Sequence, residues 1–320
     1  MLKKIKNFYN KNFALRYNTR FAMELYSDNV DFFGKKLMKF YGDFSKGLYR
    51  EGIFGFDENG VFVFYDNNNK SIKYYNPCGI AEYALVCWAN MLDDKPNYLK
   101  HETAFNNQII WLINNCEIIE NDKAVWYYNY PNIKKAFSGI SQGMIISALL
   151  RAYQLEDNED YFHLAIKSYN FLNTNVDDGG VLATKQPFDW WYEEYLDAPK
   201  ILNGHIYALL GIWDLYRVTN DFNVKQSFEK GVLAIKKNIN KFDLGFFTKY
   251  DAINPFPANN SYHYTHITLF KILYAITQDK FFNKYADKFL KYHIKFRYKI
   301  INFIYLLIIT IFNKPSKDAK

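Results

Sequence analysis

The feature that most constrains this chain is an internal repeat that occurs four times, at intervals of about 60 residues. Each copy contains a segment that opens on a small or polar residue and continues with apolar residues at helical spacing. Because these segments are apolar nearly all round, they predict buried inner helices. They are GIAEYALVCWANML (79–92), GISQGMIISALLRAY (139–153), GHIYALLGIWDLYRV (204–218) and HYTHITLFKILYAI (263–276).

A more charged segment follows each inner one. Phe, Leu and Ile recur there at i, i+3, i+4 and i+7 with Lys and Glu between them, which predicts amphipathic outer helices. These segments are HETAFNNQIIWLINN (101–115), EDYFHLAIKSYNFLN (159–173), VKQSFEKGVLAIKKNI (224–239) and KFFNKYADKFLKYHI (280–294). The pairs predict a mainly α fold, an (α/α) toroid or incomplete barrel of about four helical hairpins, over residues 77–296.

Small and polar residues stand before every inner helix. Packing alone would favour aliphatic residues there, so their recurrence predicts a binding cleft at the N-terminal ends of the inner helices. The positions are Asn76-Pro77, Ser138-Gly139, Asn203-Gly204 and Tyr262-His263.

Three segments lie outside the repeat. Residues 60–76 alternate aromatic and β-branched residues around an Asp-Asn turn, which predicts a β-hairpin. Residues 1–59 have no regular period and are expected to form an N-terminal cap. Residues 297–320 are expected to form an apolar helix and a basic tail. The apolar run 300–312 has 13 residues, fewer than the roughly 20 that a spanning helix needs. It suits a buried helix, a contact with a membrane surface or an interface with a partner, including a homodimer, and the sequence leaves these open.

The composition narrows the class of partner. The chain has 320 residues, 49% of them hydrophobic, enough for a sizeable core. Its net charge of +7 favours an anionic partner such as a lipid surface or an acidic polysaccharide. Nucleic acid is not expected, because the pairs Lys134-Lys135 and Lys236-Lys237 are isolated and lack interleaved aromatics.

Several motif classes are absent from the sequence. The three cysteines form no CxxC and the six histidines no HExxH, so no metal centre is expected and the thiols suit a reducing compartment. There is no dinucleotide-binding GxGxxG, P-loop or GxSxG motif. The basic N-terminus has no apolar core of the kind that a signal peptide needs, so we expect a cytoplasmic protein, with peripheral contact at the inner membrane as an option.

Acids and aromatics are mixed in one short stretch, DWWYEEYLDAP (189–199). A buried core would not favour the paired carboxylates Glu193 and Glu194, and a solvated face would not favour four large aromatics beside them. A carbohydrate cleft uses both, because sugar rings stack on aromatics while hydroxyls bond to acids. Further candidates stand before or at the start of the fourth inner helix: Tyr250 in FFTKYDA, and Tyr262, His263 and His266 in SYHYTHITLF.

The block DWWYEEYLDAPKILNGHIYALLGIWDLY (189–216) resembles the C-terminal domain of D-glucuronyl C5-epimerases, which act on heparosan and related chains. The resemblance continues, in the same order, in NPCGIAEYAL, SGISQGMIISALLRAYQL, TKYDA and YHYTHI, over roughly residues 60–280. It implies an isomerase that converts D-glucuronate to L-iduronate in an anionic polysaccharide without a cofactor. The family can carry calcium in its β region, but no ligands for it can be mapped here.

The resemblance also implies a mechanism. Inversion at C5 removes a proton from one face of the sugar and returns one to the other, and the family uses tyrosines for this. The positions that match its functional motif are Glu194, Tyr195, Tyr250 and Tyr262. Tyr195 and Tyr262 are expected on opposite faces of the sugar, with Tyr250 assisting. A tyrosine with its usual pKa of about 10 needs a nearby cation or hydrogen-bond donor to act as a base at neutral pH.

The sequence predicts several substrate contacts but no group that would hold the uronate carboxylate. The residues expected to bind the substrate are Trp191, Glu193, Asn203, His205, His263 and His266. No Arg follows the Tyr250-Asp251 motif, so the group that would hold the uronate carboxylate is not identified. The alternatives are a uronate lyase, a glycoside hydrolase or a non-catalytic glycan-binding protein. A hydrolase needs two carboxylates about 5 to 10 Å apart, and adjacent glutamates make no obvious pair.

Overall fold

The structure is a computed structural model that describes residues 23–48, 53–66, 69–128, 135–196 and 198–312. It consists of two compact units. The larger unit contains Glu24–Ala198 and Gly204–Lys237, and the smaller unit contains Met1–Met23, Pro199–Asn203 and Asn238–Lys320.

Helical hairpins form most of the larger unit. A one-turn helix, α1 (Ser45–Leu48), precedes them. The hairpins are α2 (Pro77–Asp93) with α3 (Tyr98–Asn114), α4 (Gly139–Glu156) with α5 (Glu159–Leu172), and α6 (Leu202–Thr219) with α7 (Phe222–Asn238). Each matches a predicted inner and outer pair within a few residues.

The inner helices begin and pack as their sequences predict. α2 starts where the side chain of Asn76 accepts hydrogen bonds from the N–H groups of Cys78 and Gly79, with Pro77 at the first helical position. α4 is buried at every position from Gly139 to Ala152, as expected for a helix that is apolar nearly all round.

Short antiparallel sheets connect these helices. β1 (Glu24–Leu25) pairs with β2 (Gly42–Asp43), β6 (Glu117–Ile119) with β7 (Lys123–Val125), and β8 (Leu182–Ala183) with β9 (Trp191–Tyr192). The hairpin predicted at 60–76 contains β4 (Phe62–Tyr65) and β5 (Lys73–Tyr74) and gains a third strand, β3 (Phe54–Phe56). Two residues of its predicted turn, 67 and 68, lie outside the described residues.

Part of the predicted N-terminal cap is held by a buried ionic network. The carboxylate of Asp214 receives Arg151 at 2.8 Å, Arg217 at 3.4 Å and the hydroxyl of Tyr41 at 2.5 Å. All four side chains are buried. Residues 1–22 of the cap lie outside the described part of the chain.

The smaller unit contains the fourth hairpin, α8 (Asn260–Thr277) with α9 (Lys280–Ile294), followed by α10 (Phe296–Phe312). The predicted apolar run falls within α10. Among the described residues, no helix combines the length and the apolar character needed to cross a bilayer. The predicted mainly α class with four helical hairpins is confirmed, while the predicted domain boundaries stay predictions.

Candidate active site

In the larger unit, β9 and the residues on either side of it carry the acid-aromatic stretch. The backbone of Glu193 donates to the carbonyl of Val181 (2.8 Å) and accepts from the N–H of Gly139 (3.0 Å), which fixes the loop against the N-terminal end of α4. Trp190 has a φ of 62°, a left-handed conformation that bulky side chains rarely adopt. The turn at Trp190 thus directs the next two aromatic residues inward.

The aromatic and acidic residues of this stretch differ in their exposure to solvent. Trp191, predicted to bind substrate, is fully buried, and its ring stacks on His205 with centroids 4.0 Å apart. Tyr192 is also fully buried. Tyr195 is 43% exposed and Trp190 is half-buried, while Glu193 and Glu194 are almost buried. Trp191 therefore lies in the core, and its role in substrate binding stays a prediction.

Around Glu194 lies a set of polar side chains from three inner-helix ends, which we call the Glu194 cluster: Cys78, Glu82, Tyr128, Ser141, Glu194 and Tyr195. The thiol of Cys78 lies 3.8 Å from a carboxylate oxygen of Glu82. The hydroxyls of Tyr128 and Ser141 are 2.8 Å apart. The rings of Tyr128 and Tyr195 lie with centroids 6.3 Å apart.

The electrostatics of the Glu194 cluster favour uncharged forms. Burial and, to a smaller extent, the negative charge of Glu194 raise the pKa of Glu82 to about 7, while the hydrogen bond from Cys78 opposes the shift. Burial also raises the pKa of the Cys78 thiol well above its usual value, with Glu82 and Glu194 adding to the shift. Because the pKa of Glu82 lies near neutrality, this carboxyl group is suited to giving or taking a proton at neutral pH.

Gly204, at the start of α6, makes room for the Glu194 side chain. A Cβ atom at this position would overlap with the Glu194 carboxylate and lie 2.8 Å from its Cβ. The glycine of the LNG motif is thus explained by close approach to a carboxylate rather than by a turn.

In the smaller unit, Tyr250 and Tyr262 form a pair with ring centroids 4.6 Å apart and planes at 55°. Tyr262 is 38% exposed. Its position is fixed because Asn259 caps α8 and its side chain accepts from the backbone N–H of Tyr262 at 2.9 Å. The structure therefore brings together two of the three tyrosines that the sequence predicts to be catalytic.

Two histidines of α8, His263 and His266, are linked through the hydroxyl of Thr248. Nε2 of His263 lies 3.2 Å from the carbonyl of Phe289, so Nε2 carries the proton and Nδ1 is an acceptor. The hydroxyl of Thr248 lies 2.8 Å from that Nδ1 and 3.0 Å from Nδ1 of His266. Thr248 therefore donates to His263 and accepts from His266, which leaves Nε2 of His266 as an unprotonated acceptor. Burial lowers the pKa of His266 to about 3, so the linked pair of histidines is neutral.

His205 and His263 occupy the same place in two successive repeats. Nδ1 of His205 accepts from the N–H of Tyr192 at 2.9 Å, and its Nε2 faces the carbonyl of Gly231 at 3.0 Å. His263 likewise accepts from the N–H of Thr248 (3.3 Å) and stacks on Phe247. Each histidine thus joins the preceding loop to the outer helix. His205, His263 and His266 are all fully buried, and their predicted contact with substrate stays a prediction.

Two further polar side chains of the smaller unit lie within or beside the sequence motifs. Asn203 is almost buried, and its Oδ1 accepts no hydrogen bond from the described residues. Lys249, directly before Tyr250, donates to the carbonyl of Ala252 at 3.1 Å. Burial lowers the pKa of its ammonium, against the opposing charge of Asp251.

Sequence reasoning missed three of these residues. Glu82 is the one acid in the inner segment GIAEYALVCWANML, and an acid in so apolar a helix is a signal that could have found it. Lys249 lies inside the motif TKYDA, but it precedes the tyrosine, whereas the family motif predicts a basic residue after it. Tyr128 gave no signal, since the chain has 28 tyrosines.

The structure also bears on metal binding. Within the residues that it describes, no three His, Cys, Asp or Glu side chains are grouped so that they could hold a metal ion. No ligand set for calcium can therefore be named, and no step is assigned to it.

Comparison with known proteins gives the same family as the sequence motifs. The family model described as D-glucuronyl C5-epimerase C-terminus matches residues 120–291. The D-glucuronyl C5-epimerase of Caenorhabditis elegans is 29% identical over 227 residues, which cover 60% of this chain and 35% of that protein. An uncharacterised protein of Methanocaldococcus jannaschii is 29% identical over 174 residues, covering 51% and 56% respectively. The chain thus spans between a third and three fifths of these relatives.

Among solved structures, a reducing end xylose-releasing exo-oligoxylanase superposes with a TM-score of 0.51 at 12% identity, covering 76% of this chain and 66% of that one. At this identity the likeness concerns the fold alone. It agrees with the predicted (α/α) toroid class.

Proposed function

This chain belongs to the D-glucuronyl C5-epimerase C-terminus family, and from this premise we propose that it is a carbohydrate-modifying isomerase. Its reaction would invert C5 of D-glucuronate to L-iduronate within an anionic polysaccharide. The observation that carries the proposal is the pair formed by Tyr250 and Tyr262, whose rings lie 4.6 Å apart at the start of α8. Both tyrosines stand at positions that match the functional motif of the family.

The proposed chemistry is a proton exchange with no change in oxidation state. A tyrosine phenolate takes the C5 proton, and the electron pair of the broken C–H bond passes into an enolate on the uronate carboxylate. A tyrosine hydroxyl on the other face then returns a proton to C5, and the enolate electrons re-form the C–H bond. Tyr195, Tyr250 and Tyr262 are the proposed proton-transfer groups, with Glu194 beside Tyr195 in the chain.

The growing charge of the enolate needs a cation or donors. We propose Lys249 for this role, because it adjoins Tyr250 and because burial lowers its pKa, which marks an ammonium partly removed from water. Asn203 would accept from a sugar hydroxyl, since its Oδ1 has no donor among the described residues.

A glycoside hydrolase is a second candidate, and one observation favours it. The sequence offers no obvious pair of separated carboxylates, but the Glu194 cluster contains Glu82, whose pKa is raised to about 7. A protonated carboxyl group near neutrality together with an ionised one is the combination that glycoside hydrolysis uses.

Incubation with glucuronate-containing polysaccharides in deuterium oxide, followed by NMR, tests these functions. Deuterium at C5 together with iduronate signals is the expected result. New reducing ends without label would support the hydrolase, and unsaturated products would support a lyase. An absence of label across a panel of uronate polymers would contradict the epimerase.

A single variant separates an enzyme from a glycan-binding protein. Tyr262→Phe removes one hydroxyl and keeps the ring, so turnover is expected to fall by about 10²- to 10⁴-fold while polysaccharide binding is retained. Tyr274→Phe, at the other end of the same helix, is the matched control and should leave turnover within about twofold of wild type. Equal activity of both variants would exclude Tyr262 as a proton-transfer group.

A further inference from the structure

α10 presents an apolar stripe to solvent. Its members are Ile300, Ile301, Ile304, Leu307 and Ile308, which are 43%, 42%, 49%, 39% and 47% exposed. Their spacing places them along one face of the helix over more than two turns. Single exposed aliphatic residues are ordinary on protein surfaces, but five in a row on one helix face mark an interaction surface.

The opposite face of α10 is packed within the smaller unit. Leu306 and Ile309 are buried at 3% and 8% exposure. The hydroxyl of Tyr305 donates to the carbonyl of Pro255 at 3.0 Å, and its ring lies 5.1 Å from that of Phe246. The helix is therefore held in place with the stripe outward.

Positive charge is concentrated in the same part of the chain. Residues 291–320 contain seven Lys and Arg residues and one Asp, a formal side-chain charge of +6 within a chain whose net charge is +7. α10 itself contains no acidic residue. Lys291, Lys295 and Arg297 are exposed, and they flank the exposed apolar residues Ile294 and Phe296, at 59% and 75% exposure.

An apolar stripe next to concentrated positive charge favours one class of binding partner over the others. An anionic polysaccharide would match the cations but not the aliphatic stripe. A second copy would match the stripe but would bring two strongly positive segments together, which disfavours association. An anionic bilayer matches both, because aliphatic side chains enter the acyl boundary while Lys and Arg meet the headgroups.

We propose that α10 docks this chain on the surface of an anionic lipid bilayer. The stripe from Ile300 to Ile308 enters the interface, and the basic residues at the start of the helix contact the headgroups. Because the other face stays packed on the smaller unit, α10 lies parallel to the bilayer plane.

The test is co-sedimentation of the full chain with two kinds of vesicle. One kind contains equal parts of phosphatidylcholine and phosphatidylglycerol, and the other contains phosphatidylcholine alone. The wild-type chain is expected to bind the anionic vesicles at least about tenfold more tightly than the neutral ones, and to lose this preference as salt is added. This comparison needs no variant.

A double variant then tests the stripe itself. Ile304→Glu with Ile308→Glu places two carboxylates in the stripe and is expected to weaken binding to anionic vesicles by at least about tenfold. The matched control is Leu99→Glu with Leu233→Glu, at residues that are 74% and 47% exposed in the larger unit. It changes the net charge equally and should bind like wild type.

Three results would overturn the proposal. The first is a wild-type chain that binds neither vesicle. The second is an equal loss of binding in the stripe variant and its control, which would reduce the effect to net charge. The third is a wild-type dimer in analytical ultracentrifugation that the stripe variant converts to monomer while vesicle binding is absent, which would assign the stripe to contact between copies.

Discussion

At the scale of single residues, the buried histidines show how a polar residue at a repeat end can hold a loop against a helix. A neutral imidazole has one donor and one acceptor on opposite sides of its ring. His205 uses them to join the N–H of Tyr192 to the carbonyl of Gly231. His263 makes the corresponding link between Thr248 and Phe289. His205 thereby holds Tyr192, which precedes Glu194 by two residues and Tyr195 by three. His263 holds Thr248, which precedes Tyr250 by two residues.

Burial of His205 predicts a loss of stability in acid. Burial lowers its pKa to about 3 from 6.5, so below pH 6.5 the unfolded chain binds a proton that the folded chain does not. Stability is then fully present above pH 6.5 and falls as the pH decreases toward 3. The free energy of unfolding, measured in urea, should fall by about 2 kcal/mol for this group between pH 6.5 and about pH 5.

His205→Asn removes this titration and keeps an acceptor for the N–H of Tyr192, so its stability should decline less steeply with acid. His163→Asn, at an exposed position, is the control and should follow wild type. If the His205 variant does not fold, the imidazole NMR signals of the wild type answer the same question. A His205 signal that titrates near neutral pH in the folded chain would contradict the prediction.

At the scale of elements, α4 and α6 approach closely through glycine. A Cβ atom on Gly211 would overlap with the carbonyl oxygen of Gly143 and lie 2.6 Å from its Cα. These are backbone atoms, so the helices would have to move apart. Gly211→Ala should therefore destabilise the chain by about 1 to 3 kcal/mol in urea unfolding, although alanine alone would favour the helix by about 1 kcal/mol.

Gly231 in α7 provides the matched comparison. A Cβ there would overlap only with a terminal methyl group of Leu209, which a rotamer change can move, and would lie 3.3 Å from Cε1 of His205. Gly231→Ala should lower the free energy of unfolding less than Gly211→Ala does, or raise it, because alanine still has the higher helix propensity. Equal losses in the two variants would show that the α4–α6 approach does not depend on glycine.

The elements differ in how far the sequence predicts them. The helical hairpins are predictable because apolar spacing and N-terminal residues such as Asn76 act locally. The roles of the residues around β9 are not, because the direction of Trp191 depends on the left-handed turn at Trp190 and on the position of His205 in α6. The pairing of Tyr250 with Tyr262 was accessible only through the family motif. Glu82 joins the Glu194 cluster through contacts between helices that no local pattern reports.

At the scale of the whole molecule, long-range contacts hold the segment from Asp31 to Tyr41. Nε of Arg151 donates to the carbonyl of Met38 at 3.1 Å, and Nε of Arg217 donates to that of Gly34 at 2.9 Å. Both guanidinium groups share the carboxylate of Asp214. One buried acid thus compensates two buried cations that anchor an N-terminal segment over 100 residues away in the sequence.

Asp214→Asn should therefore be among the most destabilising single changes in this chain. It removes the buried countercharge of Arg151 and leaves Arg217 with the longer, partly exposed ion pair to Asp31 at 3.7 Å. The expected loss is about 3 to 5 kcal/mol in urea unfolding. The anchored segment should also open, so trypsin should cleave the folded variant faster after the exposed residues Lys35 and Lys36. Asp177→Asn breaks a solvent-exposed pair with Lys185 and should cost less than about 1 kcal/mol. Similar losses in both variants, or unchanged cleavage, would mean that packing of the segment rather than the ionic network holds it in place.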